Sequence, residues 1–121
     1  MARLKLKISN RVNYQHKQMA AGRWREFDLI EQMANIGSEV GRTISWRQKN
    51  NLEYSRKAFE RALELLDLTI ADPKNKNRLS ELCRLRETLV DYFVFDNQYK
   101  SSDQLWQNYF YHFNFAARAG R

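Results

Sequence analysis

Pro73 is the only proline among 121 residues, and the glycines stand only at positions 22, 37, 41 and 120. A sheet-rich fold of this length needs many more turn residues, because reverse turns depend on the backbone freedom of Gly, Pro, Asn and Asp. Long helices are what such a chain can build. Plotted at about 100° per residue, the sequence resolves into four amphipathic stretches. In the first, over residues 23–47, Phe27, Ile30, Met33, Ala34, Ile36, Gly37, Val40, Gly41 and Ile44 share one side, opposite Asp28, Glu31, Gln32, Asn35, Glu39 and Arg42. The second, over 51–71, carries Leu52, Phe59, Ala62, Leu63, Leu66 and Ile70, with Asn50 or Asn51 as its cap and Asp72-Pro73 as its stop. The third, over 78–95, aligns Leu79, Leu82, Cys83, Leu89, Val90 and Phe93. The fourth, over 103–117, aligns Leu105, Trp106, Tyr109, Phe110 and Phe113, with Ser101 or Ser102 capping it. Short polar links between them force neighbours to run back and forth. The expected fold is all-α, an antiparallel up-down four-helix bundle over residues 23–121, preceded by a basic N-terminal arm over residues 1–22.

Five positions break the pattern. Gly37 and Gly41 each cost about 1 kcal/mol relative to Ala within a helix, so a close approach by another helix is expected there. Arg86 falls in the middle of an apolar face, where a charge must be paired, snorkel to water or face a partner; a buried ion pair with a carboxylate of the second helix, Asp67 or Glu60, is expected, the alternative being an anion-binding arginine in a cleft or at a subunit interface. Tyr111 and Phe115 form a second aromatic face on a helix that needs only one. Together with Trp106 they are expected to mark an interface in a homo-oligomer or with a protein partner.

The formal net charge is +7, and its distribution is uneven. Residues 1–25 contain Arg3, Lys5, Lys7, Arg11, Lys17, Arg23 and Arg25 and no acidic residue, whereas the remainder balances 14 basic against 14 acidic side chains. A basic arm on a neutral body attracts polyanions by steering and counterion release. The seven basic residues are expected to contact phosphates, with Tyr14 and Trp24 stacking on bases, and the partner is nucleic acid, either RNA or DNA. The alternation of Leu4, Leu6 and Ile8 with lysines suits a short strand. Met19 offers a second start, which would leave residues 1–18 outside the native protein.

Catalytic and ligand chemistries find little support. The scattered glycines provide no phosphate loop. Cys83, His16 and His112 are isolated, so no metal or other cofactor is expected. Cys83 on an apolar face is expected to be core and inert. A lone cysteine and the lack of an apolar run of about 18 residues point to the cytoplasm and away from the membrane. One motif resembles that of an enzyme: Arg11-Val12-Asn13-Tyr14-Gln15-His16 has the Arg-x4-His form of the HEPN ribonucleases. That resemblance implies a phosphate-holding Arg11 and a catalytic His16.

In helix order and net basic charge the chain resembles the ribosomal intervening-sequence proteins and the accessory variability proteins of diversity-generating retroelements. The likeness is one of architecture and implies an oligomeric bundle that binds nucleic acid. The expected role is that of a non-enzymatic, oligomeric accessory protein engaging RNA or DNA. The alternatives are a protein-interaction adaptor indifferent to nucleic acid, and an HEPN-like RNase.

Overall fold

The computed structural model describes residues 22–119, and all regular structure among them is helical. A helical turn at residues 22–24 leads into α1 (Leu29–Gln48), followed by α2 (Leu52–Ala71), a 3-10 helix (Pro73–Arg78), α3 (Leu79–Phe93) and α4 (Asp103–Ala119).

The first helix starts later than its apolar periodicity suggests. Asp28 and Glu31 form a reciprocal capping box, with the Glu31 N–H donating to Asp28 Oδ1 at 2.8 Å. The cap fixes the start of α1 and leaves residues 25–28 as a bend. At its other end Asn50 adopts a left-handed backbone (φ 62°), a conformation that Asn tolerates. Asn51 then caps α2 by accepting from the Tyr54 N–H. Ser102 rather than Ser101 caps α4, accepting from the Leu105 N–H.

α1 packs against both α2 and α4. Links from Thr43 to Ser55, Glu39 to Arg61 and Gln32 to Asp72 descend α1 while climbing α2, so these two helices run in opposite directions. Contacts of α1 with α4 likewise pair Arg47 with Asp103 and Gly37 with Phe110. α3 lies on α2 through the Asp67–Arg86 pair and through Phe59 against Phe93, whose rings are 4.9 Å apart. The shared core takes Met33, Ile36, Val40 and Ile44 from α1, and Phe59, Leu63 and Leu66 from α2. Leu82, Leu85 and Leu89 of α3 and Trp106 and Phe110 of α4 complete it.

Several side chains depart from their expected places. Leu52 is 68% exposed because it opens α2 before that helix meets its neighbours. Cys83 is exposed, since the buried line of α3 is Leu82, Leu85 and Leu89, one position to the side. Gln32 and Glu39, placed by polarity on the solvent side, are buried. Glu39 is neutralised by both Arg42 and Arg61. Gln32 is fully hydrogen-bonded, donating to the Trp24 carbonyl and to Asp72 and accepting from Asn75. A buried amide so satisfied is tolerated.

The two helical glycines have different reasons to be present. A Cβ on Gly37 would lie 2.8–2.9 Å from Phe110, whereas one on Gly41 meets nothing within 4 Å. Gly37→Ala is therefore expected to destabilise by up to about 2 kcal/mol. Overpacking costs about 1–3 kcal/mol and exceeds the roughly 1 kcal/mol gained in helix propensity. Gly41→Ala should instead gain up to about 1 kcal/mol. Urea denaturation of both variants checks the pair; a Gly37→Ala protein stabilised as much as Gly41→Ala would rule out the close approach.

Candidate nucleic-acid interface

Of the residues expected to bind nucleic acid, Arg3, Lys5, Lys7, Arg11, Tyr14 and Lys17 lie outside the described residues, as do His16 and Met19. Arg23, Trp24 and Arg25 are within them, and their surroundings show where the basic segment joins the body.

Trp24 is not available for stacking on a base. It is 7% exposed and belongs to the core, with its ring edge-on to Phe27 at 5.7 Å. Its indole N–H donates to Thr69 Oγ1 at 3.0 Å, near the C-terminal end of α2. A large apolar ring with one polar handle suits such a buried site, and sequence position alone did not reveal it. Arg23 and Arg25 flank this anchor, and both are exposed.

The anchor is reinforced by a small polar network. Asn75 in the 3-10 helix donates to Gln32 Oε1 and to the Thr69 carbonyl, both at 2.9 Å. Asp72, buried, accepts from Gln32 and pairs with Lys74. Burial pushes the Asp72 carboxyl up, but the hydrogen bonds from Lys74 and Gln32 outweigh it and hold the group below the usual carboxylate range. Lys74 Nζ also donates to the Arg25 carbonyl at 3.0 Å. The turn bearing Lys74, Lys76 and Arg78 is thus held beside Arg25 at one end of the molecule. In the sequence Lys74 to Asn77 reads only as a polar link; its proximity to the N-terminal segment is a tertiary fact without a local signal.

Elsewhere charge is largely matched among the described residues. Arg42 and Arg61 share Glu39, and Lys57 and Arg56 pair with Glu53 and Glu60 on α2. Arg86 Nε meets Asp67 Oδ1 at 2.7 Å, with the two side chains 31% and 33% exposed, so this pair is solvent-touched rather than buried. At the opposite end from Trp24, Arg47 bonds Asp103 (2.6 Å) and the Tyr92 hydroxyl (2.9 Å), and that hydroxyl also donates to Asp103. This clasp joins α1, α3 and α4. Burial raises the Asp103 carboxyl, but Tyr92 and Arg47 more than reverse this and lower it.

Of the three expected interface residues, Trp106 is a core side chain at 3% exposure, packed beside Phe110. Its position on the inward side of α4 removes it from any surface. Tyr111 and Phe115 are 61% and 62% exposed, with stacked rings 6.3 Å apart. Among the described residues there is no group of three His, Cys, Asp or Glu suited to a metal ion, and no helix long and apolar enough to cross a membrane. Comparison of the chain with protein-family models, with curated proteins and with solved structures gives no match.

Proposed function

We propose that this chain is a non-enzymatic, homo-oligomeric accessory protein that binds nucleic acid through its N-terminal basic residues. We further infer that its helices alternate as an up-down antiparallel four-helix bundle serving as the platform for that segment. The observation that carries the reading is the segregation of charge: all seven excess positive charges precede Glu26, while the body balances its own. The ion pairs described above support it, because they leave the body with little free charge to offer a polyanion. The 3-10 turn supports it further, because Lys74 donates to the Arg25 carbonyl and the exposed Lys76 lies on the same turn.

The test keeps the chain at full length. Replacing Arg3, Lys5, Lys7, Arg11 and Lys17 together by Gln should weaken binding to labelled RNA or DNA by about 100-fold or more near 100 mM salt. The helical circular dichroism spectrum should be unchanged. Retained affinity, read by fluorescence anisotropy, would overturn the proposal. A second reading, a protein-interaction module, is favoured by the exposed Tyr111–Phe115 pair and predicts a partner that persists after nuclease treatment.

A further inference from the structure

We propose that the nucleic acid this chain engages is single-stranded, and that Tyr111 and Phe115 on α4 are the platform on which its bases stack. The inference rests on the function proposed above, in which the basic N-terminal residues hold phosphates, and adds a contact that charge alone cannot make.

Stacking needs aromatic rings that are open to solvent and within reach of a cationic track. Trp24 has the right place among the cations but is part of the core. Tyr111 and Phe115 meet the requirement instead. They are the most exposed Tyr, Phe or Trp side chains among the described residues, and neither belongs to the core. They stand one helical turn apart with their rings stacked, so they form one continuous aromatic surface.

That surface lies toward the cationic end of the molecule. Arg118 is three residues beyond Phe115 on α4, which places the two side by side. Arg118 also lines a groove with Glu31, near the start of α1. The next residue, Gln32, donates to the Trp24 carbonyl, and Lys74 donates to the Arg25 carbonyl. Arg23, Arg25, Lys76 and Arg118 are all exposed. The C-terminal half of α4 therefore adjoins the point where the basic segment meets the body.

The surroundings of the rings suit a polyanion. The chain is 29% charged, yet no Lys, Arg, Asp or Glu occurs between Asp103 and Arg118. No carboxylate on this stretch of α4 repels a phosphate chain. Asn108, exposed, and Asn114, in the groove, instead offer amide donors and acceptors to base edges. Charge and rings together select the occupant. At +7 the chain attracts polyanions, and rings discriminate in favour of those whose base faces are uncovered. In a duplex each base is already stacked on its neighbours. A protein partner would use the rings but leave the cations beside them without a role.

Fluorescence anisotropy of the full-length protein tests the proposal with three labelled probes of equal length, about 15 nucleotides. These are a single strand, made as RNA and as DNA, an abasic strand with the same phosphates, and a duplex. Tyr111→Ala with Phe115→Ala should weaken binding of the single strand by about 10-fold or more. Binding of the abasic strand and the duplex should be unchanged. The salt slope should also stay the same, because no phosphate contact is removed. Tyr111→Trp with Phe115→Trp should keep the affinity of the parent. Thermal melting by circular dichroism should be equal in all three proteins, which separates lost stacking from lost folding. A double alanine variant that binds the single strand as the parent does would overturn the proposal while leaving the basic segment as the phosphate contact. Release of a co-purifying protein by that variant, with nucleic-acid affinity intact, would overturn it in favour of a protein-binding surface. Equal weakening on all three probes would overturn it as well, and a parent chain that binds none of them would overturn both this inference and the function it rests on.

Discussion

Between 50 and 200 mM salt, the affinity of this protein for a nucleic-acid duplex is expected to fall by three to four powers of ten. Each phosphate neutralised on duplex DNA contributes about −0.9 to the slope of log affinity against log salt, and on a single strand about −0.7. Seven N-terminal basic residues precede Glu26, which gives a slope of about −6 on a duplex and about −5 on a single strand. If only Arg23 and Arg25 engaged, the slope would be about −2 and the loss about tenfold. Anisotropy titrations at several salt concentrations read the slope directly. A slope near zero would remove nucleic acid as the partner. The prediction has no dependence on base sequence, because phosphate contacts position a protein without reading bases.

The Trp24→Ala variant is expected to lose about 3–5 kcal/mol of stability. Most of this comes from the cavity left beneath Phe27 and the α2 terminus, because the ring is almost wholly buried. The hydrogen bond contributes less. Thr69 keeps its own bond to the Leu65 carbonyl, so losing the indole does not orphan a buried donor. Trp24→Phe, which keeps a six-membered ring but loses the five-membered ring and its N–H, should cost less than Trp24→Ala: about 1 kcal/mol from hydrogen bonding together with a smaller cavity. Urea midpoints for the two variants measure the difference. A loss under about 1 kcal/mol for Trp24→Ala would mean that residues 22–27 detach without unfolding the helices.

Much of the fold is legible in the spacing of apolar residues. Four helices follow from periodicity, and their links from the polar clusters near Asn50, Lys74 and Asn97. The meeting of Arg86 and Asp67 follows from the conflict between a charge and an apolar face. What escapes is what polarity misrepresents. Gln32 and Asp72 read as surface residues, but each is buried because the fold supplies its partners from segments about 40 residues away. Cys83 shows the converse, since lying near an apolar face does not say which residue points inward. Asp28 and Glu31 stood at capping-box spacing, a local signal sufficient to end the leading turn before α1, yet the apolar run through Phe27 and Ile30 masks it. The candidate interface is legible only as composition, and its point of attachment emerges from tertiary contacts alone.

The hydrogen bonds at the Trp24 end also bear on the order in which the molecule assembles. Ser55 reaches Thr43 across 12 residues, but Gln32 reaches Asp72 across 40 and Trp24 reaches Thr69 across 45. Closing a longer loop sacrifices more chain entropy. The α1–α2 hairpin is accordingly expected to zip from its Asn50–Asn51 link, pairing Glu39 with its arginines on the way, and to fasten Trp24 last. In that order, carboxylates of the body would be matched to their own cations before the N-terminal ones are brought close enough to compete for them.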